Sequence, residues 1–190
     1  LEFRRVLFRS MERVMSFDPH RHDSYPDSVI EYVLKSVKTI ALVGFSANES
    51  RPSFFVTKYL IERGYTLYPI NPGLAGQEFF GARVYGSLAE VPAPIDMIDI
   101  FRHSDAAEEI TNEAIALSPL PKVIWMQLGV RNDKAAEKAE AHGLTVIMNR
   151  CPKIEFGRFS GEIGWNGVNT GLISSKKPVM AKEGFQKRGI

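Results

Sequence analysis

The residues best suited to bind a charged ligand form a polar loop, Gly44-Phe45-Ser46-Ala47-Asn48, directly after the apolar run Thr39–Val43. Pro52 then begins a helical pattern, with Arg51 before it and Ser53 after it. A helix N-terminus has unpaired backbone N–H groups and a positive dipole end, so it can hold a phosphate. The pattern therefore predicts that this loop binds the pyrophosphate of a nucleotide-containing ligand.

Further candidate residues follow the other predicted strands. The carboxyl ends of parallel strands meet at one edge of a sheet, and ligands bind there, near the point where the strand order reverses. We expect Arg51 and Arg102 to add positive charge at that edge, which suits a pyrophosphate ligand with a further negative group. The candidates at the ends of strands two, four, five and six are Asn71, Pro72, Phe101, Arg102, Gln127, Gly129 and Cys151.

Two common nucleotide sites do not fit these residues. The triple-glycine fingerprint of NAD-binding proteins is missing after Gly44, and Asn71-Pro72 replaces the acidic residue that holds the ribose hydroxyls. No Gly-Lys-Ser or Gly-Lys-Thr occurs, which excludes a P-loop. Backbone amides and small polar side chains remain, and they favour a phosphate ligand of another kind.

The elements that must position these residues alternate along the chain. Apolar runs predict strands at residues 39–43, 65–70, 95–101, 122–127 and 144–148, with a short additional strand at 83–85. Helical periodicity predicts helices at about 27–36, 52–63, 106–117 and 132–141, and Ser104 is the predicted cap of the third. This alternation predicts an α/β fold, a Rossmann-like doubly wound parallel sheet of five to six strands with helices on both faces.

Four regions are expected along the chain. Residues 1–10 precede Met11 and are expected to be a non-native remnant. Residues 11–37 form an N-terminal arm, extended or frayed up to Pro26, and a helix. Residues 38–155 form the Rossmann-like domain, and residues 156–190 form a glycine-rich, irregular C-terminal extension in which no helix fits.

The composition argues against several classes of function. Residues 1–10 contain three Arg and one Glu, so the rest of the chain carries 21 basic and 21 acidic residues and gives little support to nucleic-acid binding. No apolar run approaches membrane-spanning length, and no signal peptide follows Met11. A single Cys excludes an internal disulfide framework, and a reducing cytoplasm is the simplest compartment.

Six segments, taken together, are similar to a known family. They are Val43-Gly44-Phe45-Ser46, Arg51-Pro52-Ser53, Tyr68-Pro69-Ile70-Asn71-Pro72, Asp99-Ile100-Phe101-Arg102, Trp125-Met126-Gln127-Leu128-Gly129 and Asn149-Arg150-Cys151-Pro152-Lys153. In this order and spacing, residues 38–155 resemble the CoA-binding domain family, small Rossmann-like proteins similar to the CoA-binding portion of the succinyl-CoA synthetase alpha subunit. The resemblance implies a six-stranded Rossmann-like fold with CoA as the ligand. It also implies that residues 44–48 meet the pyrophosphate, while residues 71–72 and 100–102 line the adenosine side.

Three hypotheses for function remain open. The first is a cytoplasmic protein that binds CoA or an acyl-CoA without catalysis of its own, with a homodimer as an open question. The second is an enzyme, either an NAD(P)-dependent oxidoreductase or a CoA-ligase subunit that needs a partner chain. A complete ligase would need a phosphate-accepting histidine and a nucleotide-grasp domain, and only His103 lies near the predicted site. The third is a scaffold whose glycine-rich tail binds another chain.

The remaining reactive residues do not form a recognisable catalytic set. Cys151 is expected to be a buried or inert thiol, and a mixed disulfide with the CoA thiol is the sharper alternative. Asp96 and Asp99 lie three residues apart on a predicted strand and so on opposite faces, which does not suit an acid/base pair. No Cys/His spacing fits zinc, and no Ser/His/Asp triad can be assigned from the sequence.

Overall fold

The computed structural model describes residues 18–160, 179–180 and 186–187. The strands are β1 (Thr39–Val43), β2 (Thr66–Ile70), β3 (Glu78–Phe79), β4 (Ala82–Arg83), β5 (Met97–Ile100), β6 (Val123–Met126), β7 (Thr145–Ile147), β8 (Val179–Met180) and β9 (Gln186–Lys187). The helices are α1 (Asp27–Ser36), α2 (Pro52–Glu62), α3 (Ala107–Ile115), α4 (Asp133–Ala141) and α5 (Pro152–Phe159).

Five strands form one parallel sheet in the order β2-β1-β5-β6-β7. The chain winds one way from β1 to β2 and then the other way from β5 to β7, so the strand order reverses between β1 and β5. Ligands of doubly wound sheets bind beyond the carboxyl ends of the strands at such a reversal. The predicted α/β, Rossmann-like parallel sheet is confirmed.

Helices cover both faces of this sheet. Ile40 and Leu42 of β1 face a cluster built with α1, α2 and α5, whereas Ala41 faces the cluster built with α3 and α4. Successive residues of a strand point to opposite faces, so a strand covered on both faces has no polar side. β5 follows this rule except at Asp99, which is fully buried on the α1, α2 and α5 face beside Leu42.

The strand predicted at residues 83–85 does not join the sheet as a full strand. Instead β3 and β4 pair antiparallel in a small hairpin, and Tyr85 makes one parallel bridge to Ile70. The hairpin packs on the start of the site, because Phe79 contacts Phe45 with ring centroids 5.1 Å apart. The turn residue Phe80 has a positive φ of 55° and packs on Phe54 of α2.

Helix α5 corrects the expectation that no helix follows residue 155. Pro152 occupies the first turn of α5, where its missing N–H has no helical partner to lose. The helix packs through Ile154, Phe156 and Phe159 against the core, and Gly157 is buried within it. The glycine pattern concealed this helix, since buried contacts outweigh a cost of about 1 kcal/mol for an interior Gly. Of the extension predicted at residues 156–190, residues 161–178, 181–185 and 188–190 lie outside the described residues.

The N-terminal arm is folded onto the domain rather than extended or frayed over residues 18–26. It contains a 3-10 turn at Pro19–His22, and His22 is buried. The Tyr25 hydroxyl accepts a hydrogen bond of 2.7 Å from the Met148 N–H, directly after β7. Arg131 pairs with Asp23 at 2.6 Å, so the arm is tied to the loop before α4 as well.

The predicted cap at Ser104 is wrong. Ser104 lies inside a 3-10 turn, Ser104–Ala106, that precedes α3, and its Oγ accepts a hydrogen bond of 3.1 Å from the Arg131 N–H. The Asn132 side chain caps α4 through the Ala135 N–H at 2.9 Å. Across the described residues, no helix is both long and apolar enough to cross a membrane.

Candidate functional site

The strand-order reversal brings the tips of β1 and β5 into direct contact. Gly44 follows β1 with a φ of +95°, and a Cβ at this position would lie 2.9 Å from the Phe101 carbonyl oxygen and 3.0 Å from Arg102 Cδ. Glycine is therefore needed here for two reasons, the left-handed backbone and the close approach of the chain after β5. This contact lies at the carboxyl edge of the sheet. We use the name carboxyl edge for the loops at residues 44–48, 71–73, 101–103, 127–129 and 149–151.

Replacing Gly44 and Gly64 with alanine should separate the cost of the left-handed backbone from the cost of the close contact. Gly64 has a similar φ of +89°, but a Cβ added there would meet no atom within 4 Å, so Gly64→Ala reports backbone strain alone. We expect Gly64→Ala to lower the free energy of unfolding by about 1 kcal/mol and Gly44→Ala by about 3 kcal/mol. Urea unfolding of both variants measures the difference, and equal losses would show that the contact with Phe101 is unimportant.

The amides of the loop after β1 divide into engaged and free groups. The N–H groups of Gly44 and Phe45 both donate to the Ile70 carbonyl, at 3.1 and 3.2 Å. The Asn48 N–H donates to Ser46 Oγ at 3.2 Å. In the part of the chain that the structure describes, the N–H groups of Ser46 and Ala47 donate to no protein atom. These two amides are thus the backbone donors that this loop leaves open at the edge of the sheet.

Side chains of the same loop mainly hold its shape. Phe45 is 1% exposed and belongs to the core, and the Asn48 Oδ1 accepts from the N–H of Ser50 at 2.9 Å. Ser53 is buried in the first turn of α2, where its carbonyl accepts from the Thr57 hydroxyl. Of this loop, Ser46 and Ala47 therefore keep backbone N–H groups that are not used to hold its shape.

Asn71 joins the loop after β2 to the loop after β1. Its Nδ2 donates to the Phe45 carbonyl at 2.7 Å, and its Oδ1 accepts from the Gly73 N–H at 2.8 Å. Both ends of the carboxamide are engaged, so Asn71 orders the edge while Pro72 lies exposed beside it. This arrangement lacks the carboxylate that a dinucleotide-binding site places at the end of its second strand.

Positive charge reaches the edge from two sides. Arg51 is the exposed residue before α2, and Arg102 is exposed after β5, where its Cδ lies over Gly44. Within the described residues, neither guanidinium has a carboxylate partner. Other arginines in the same ranges are paired with carboxylates, namely Arg21, Arg131, Arg150 and Arg158.

The other residues predicted after β5 differ in their surroundings. Ile100 is fully buried in the cluster built with α3 and α4, so its side chain is part of the core beneath the edge. Phe101 is half-buried, and its N–H donates to the Val43 carbonyl at 2.8 Å, which extends the parallel pairing of β1 and β5 past the end of β5. His103 is exposed and precedes the 3-10 turn.

The loop after β6 is fixed by a residue that sequence reasoning did not select. Gly129 has a φ of +78°, and its N–H donates to Asn149 Oδ1 at 2.8 Å. Asn149 itself has a positive φ of 53°, a conformation that Asn tolerates better than most residues. The place of Asn149 directly after the sixth predicted strand was the available signal. Leu128, before Gly129, is 57% exposed, an apolar side chain at the rim of the edge.

Asp99 and Gln127 form a buried polar pair beneath the edge. The Gln127 Nε2 donates to both carboxylate oxygens of Asp99, at 3.1 and 3.2 Å. Burial raises the pKa of Asp99 to about 8, and the Gln127 hydrogen bonds only partly oppose this. Sequence reasoning dismissed Asp99 as a partner of Asp96, although an acidic residue in an otherwise apolar strand was a usable signal.

Cys151 lies at the start of α5 on the same face as Asp99 and is 7% exposed. Burial raises the pKa of its thiol to about 11, and the nearby Asp99 charge acts in the same direction. Lys153 is buried next to it, with Nζ 4.8 Å from the centre of the Phe55 ring. The environment is that of an inert thiol, the first of the two expectations for this residue.

The Cys151 thiol should therefore react slowly. Since a pKa of about 11 leaves roughly a hundredfold less thiolate at pH 8 than a pKa of 9, we expect labelling by a disulfide reagent to be at least about 100-fold slower than for free cysteine. Cys151 is the sole Cys of the chain, so the reagent reports one site. The same labelling in urea is the control, and a fast reaction of the folded protein would contradict the buried position.

The structure brings most predicted site residues to one edge. Hydrogen bonds join the loops after β1 and β2, contacts at Gly44 join the loops after β1 and β5, and Gln127 links β6 to β5. The described residues contain no cluster of three or more His, Cys, Asp or Glu side chains able to hold a metal ion.

Comparison with known proteins places this geometry in a family. The CoA binding domain family matches residues 38–157. The chain belongs to this family. This CoA-binding domain protein is also 34% identical over 125 residues to the uncharacterized protein YneT of Bacillus subtilis (strain 168), a match that covers 66% of this chain and 90% of YneT.

Solved structures agree with the fold of the CoA-binding domain protein. A hypothetical protein from Pyrococcus horikoshii OT3 is 36% identical, with a TM-score of 0.68 over 73% of this chain and 95% of its own. A protein from Thermus thermophilus is 34% identical, with a TM-score of 0.66 over 70% of this chain and 98% of its own. A redesigned version of the protein PH1109, made for binding, is 35% identical with a TM-score of 0.68 over 73% of this chain and 94% of its own.

Proposed function

We propose that this protein binds CoA or an acyl-CoA in the cytoplasm at the carboxyl edge of its sheet, and has no catalysis of its own. The observation that carries the proposal is the pair of free amides at Ser46 and Ala47, next to the strand-order reversal of a CoA-binding domain. Successive exposed backbone N–H groups in a loop can bind the oxygens of a pyrophosphate.

The two unpaired arginines support a ligand with more charge than a dinucleotide. Arg51 and Arg102 lie on either side of the loop, and a guanidinium binds phosphate oxygens through paired N–H groups. CoA carries a 3′-phosphate in addition to its pyrophosphate, so one arginine is available for each group. We assign the 3′-phosphate to one of them and leave the choice to experiment.

The oxidoreductase alternative has weaker support from the same edge. NAD-binding sites hold the ribose hydroxyls with an acid after the second strand, whereas Asn71 stands there with both ends of its side chain engaged. A phosphate-accepting histidine for a ligase would have to be His103, which is exposed before α3. The carboxyl edge therefore favours a binding protein.

Calorimetry with CoA, dephospho-CoA, NAD and NADP tests the proposal. We expect CoA to bind at least about tenfold more tightly than dephospho-CoA, because the latter lacks the group that an arginine holds. Arg51→Gln and Arg102→Gln, measured separately, should show which residue removes the difference. A preference for NAD or NADP would contradict the proposal, as would no binding of CoA at millimolar concentration.

A further inference from the structure

The buried pair beneath the edge has a geometry that a purely structural role does not require. Asp99 is fully buried on the central strand β5, and its neighbours in register are Leu42 on β1 and Trp125 on β6. Among the described residues, Gln127 is the partner that hydrogen-bonds its carboxyl group. An ionised carboxylate accepts hydrogen bonds from the NH₂ group of an amide partner. A protonated carboxyl group instead donates its O–H to the amide oxygen.

Gln127 belongs to the carboxyl edge, and its side-chain oxygen is not among the fully buried polar atoms that lack a partner in the described residues. Gln127 directly follows β6, and its N–H donates to the Ile100 carbonyl at 3.2 Å, so it lies beside the tip of β5. Its side-chain oxygen accepts no hydrogen bond from the described part of the chain, and the residue keeps 6% exposure. A carboxamide has an NH₂ donor at one end and an oxygen acceptor at the other. Whichever of these groups faces Asp99, the opposite group is the one available to the ligand.

Few charged groups compete with Gln127 for Asp99. On the α5 side the Cys151 thiol lies close enough for the Asp99 charge to raise its pKa, whereas the Lys153 charge lowers that pKa. Burial and the Gln127 hydrogen bonds are the causes that shift the pKa of Asp99 itself. On the sheet itself, Leu42 and Trp125 are uncharged. The protonation of Asp99 is therefore coupled mainly to the orientation of Gln127. The buried residues of α2 on this face carry no carboxylate; they are Ser53, Val56, Thr57, Tyr59 and Leu60.

We propose that Asp99 and Gln127 act as a proton-coupled selector for the carbonyl group of an acyl-CoA. When Asp99 is ionised, the Gln127 NH₂ group donates to its two oxygens and the Gln127 oxygen faces the edge as an acceptor. When Asp99 takes up a proton from solvent, its O–H donates to the Gln127 oxygen, and the NH₂ group turns outward as a donor. Asp99 is a positioning residue in this scheme, and Gln127 is the group that touches the ligand.

The strand order indicates which part of the ligand meets Gln127. Asn71 and β2 lie on one side of the loop after β1, and β5 and β6 lie on the other. Residues 71–72 and 100–102 therefore lie on opposite sides of this loop and do not both line the adenosine, which we place toward Asn71. With the pyrophosphate at Ser46 and Ala47, the acyl arm then runs over Gln127 and the exposed Leu128. A thioester carbonyl accepts hydrogen bonds, so it binds the Gln127 NH₂ group, which faces the edge when Asp99 is protonated. This step depends on the proposed function.

The pH dependence of binding tests the selector. Because burial raises the pKa of Asp99 to about 8, we expect the affinity for acetyl-CoA to fall about tenfold from pH 7 to pH 9. The Asp99→Asn variant should change less than about twofold over the same range. The nucleotide 3′,5′-ADP, which lacks the acyl arm, should show no such fall with the wild-type protein. An equal fall in Asp99→Asn, or none in the wild-type protein, would overturn the inference.

A ligand-free measurement separates the selector from the proposed function. The ¹³C resonance of the Gln127 side-chain carbonyl should titrate near pH 8, and should not titrate in Asp99→Asn. Gln127→Met identifies the resonance, because it removes that side-chain carbonyl. It should also make acetyl-CoA binding independent of pH, so it replaces Asp99→Asn in the binding test if that variant does not fold. Asp96→Asn, at the opposite edge of the sheet, should leave the titration unchanged. If the resonance titrates but acetyl-CoA does not bind, the proposed function fails and the acyl selector with it. A resonance that does not shift contradicts the coupling itself.

Discussion

Replacing Ser46 with glutamate is expected to abolish CoA binding while leaving the fold nearly unchanged. Ser46 is half-buried in the loop after β1, and its N–H is one of the two free amides. A carboxylate about 4 Å from a pyrophosphate charge costs on the order of 4 kcal/mol at an effective dielectric constant of 20. That energy corresponds to an affinity loss of roughly 1,000-fold.

The control for Ser46→Glu should add the same charge where no ligand is expected. Thr66 is exposed at the start of β2, at the amino edge of the sheet, so Thr66→Glu should bind CoA as the wild-type protein does. Calorimetry measures both affinities, and urea unfolding checks that both variants are folded. A CoA affinity of Ser46→Glu within about threefold of the wild-type value would show that the pyrophosphate binds elsewhere.

Replacing Asp99 with asparagine should remove a large pH dependence of stability. The pKa of Asp99 is raised to about 8 in the folded protein, against about 3.9 in an unfolded chain. A raised pKa contributes stability that is fully present below the unfolded value and is lost as pH rises through the folded one. The wild-type protein should therefore lose on the order of 4 kcal/mol of unfolding free energy from this group between pH 5 and pH 8, and Asp99→Asn should not.

Asp96 is the matched control for this prediction. It lies three residues before Asp99 at the opposite edge of the sheet, and burial opposes its ionisation. Hydrogen bonds from Lys122 and from the Lys38 and Thr39 amides outweigh the effect of burial and lower its pKa. Its stabilising effect is thus present above the unfolded pKa and is lost only in acid, so Asp96→Asn should differ from the wild-type protein by a constant amount from pH 5 to pH 9. Urea midpoints across that range measure all three proteins. A wild-type stability that follows Asp99→Asn at every pH would mean that Asp99 is ionised in the fold.

The local elements were predictable where one pattern dominates. β1 occupies the predicted residues, Thr39–Val43, because a β-branched apolar run ends at a glycine that must leave the strand. α1 also begins and ends as predicted, since its apolar face recurs at helical spacing through Ile30, Val33 and Leu34. Both are decided by residues close together in the chain, which is the information that a single sequence contains.

The failures have a common physical reason, namely contacts between distant parts of the chain. The glycines that recur from Gly157 onward argued against a helix after residue 155, but burial against the core extends α5 to Phe159. Ser104 was predicted to cap α3, but it bonds instead to Arg131, 27 residues later. Polar composition suggested a frayed arm, whereas His22 and Tyr25 pack on the domain.

The site was predictable in outline and not in its hydrogen bonds. Parallel topology required the loops after β1, β2, β5 and β6 to share an edge, and they do. Which amides are free depends on the Ile70 carbonyl, which takes the N–H groups of Gly44 and Phe45. The role of Asp99 depends on Gln127, 28 residues away in sequence, and no local pattern contains that pairing.

The contacts made by α1 and the N-terminal arm show that the folded unit is longer than the segment matched by the family. The family match begins at Lys38, yet Ile30, Val33 and Leu34 of α1 are buried in the core shared by α2 and α5. Tyr65 of that segment donates its hydroxyl proton to the Leu34 carbonyl at 2.7 Å. A truncation at Lys38 would remove α1 from the apolar core that α2 and α5 share, so shortened versions should start no later than Asp18.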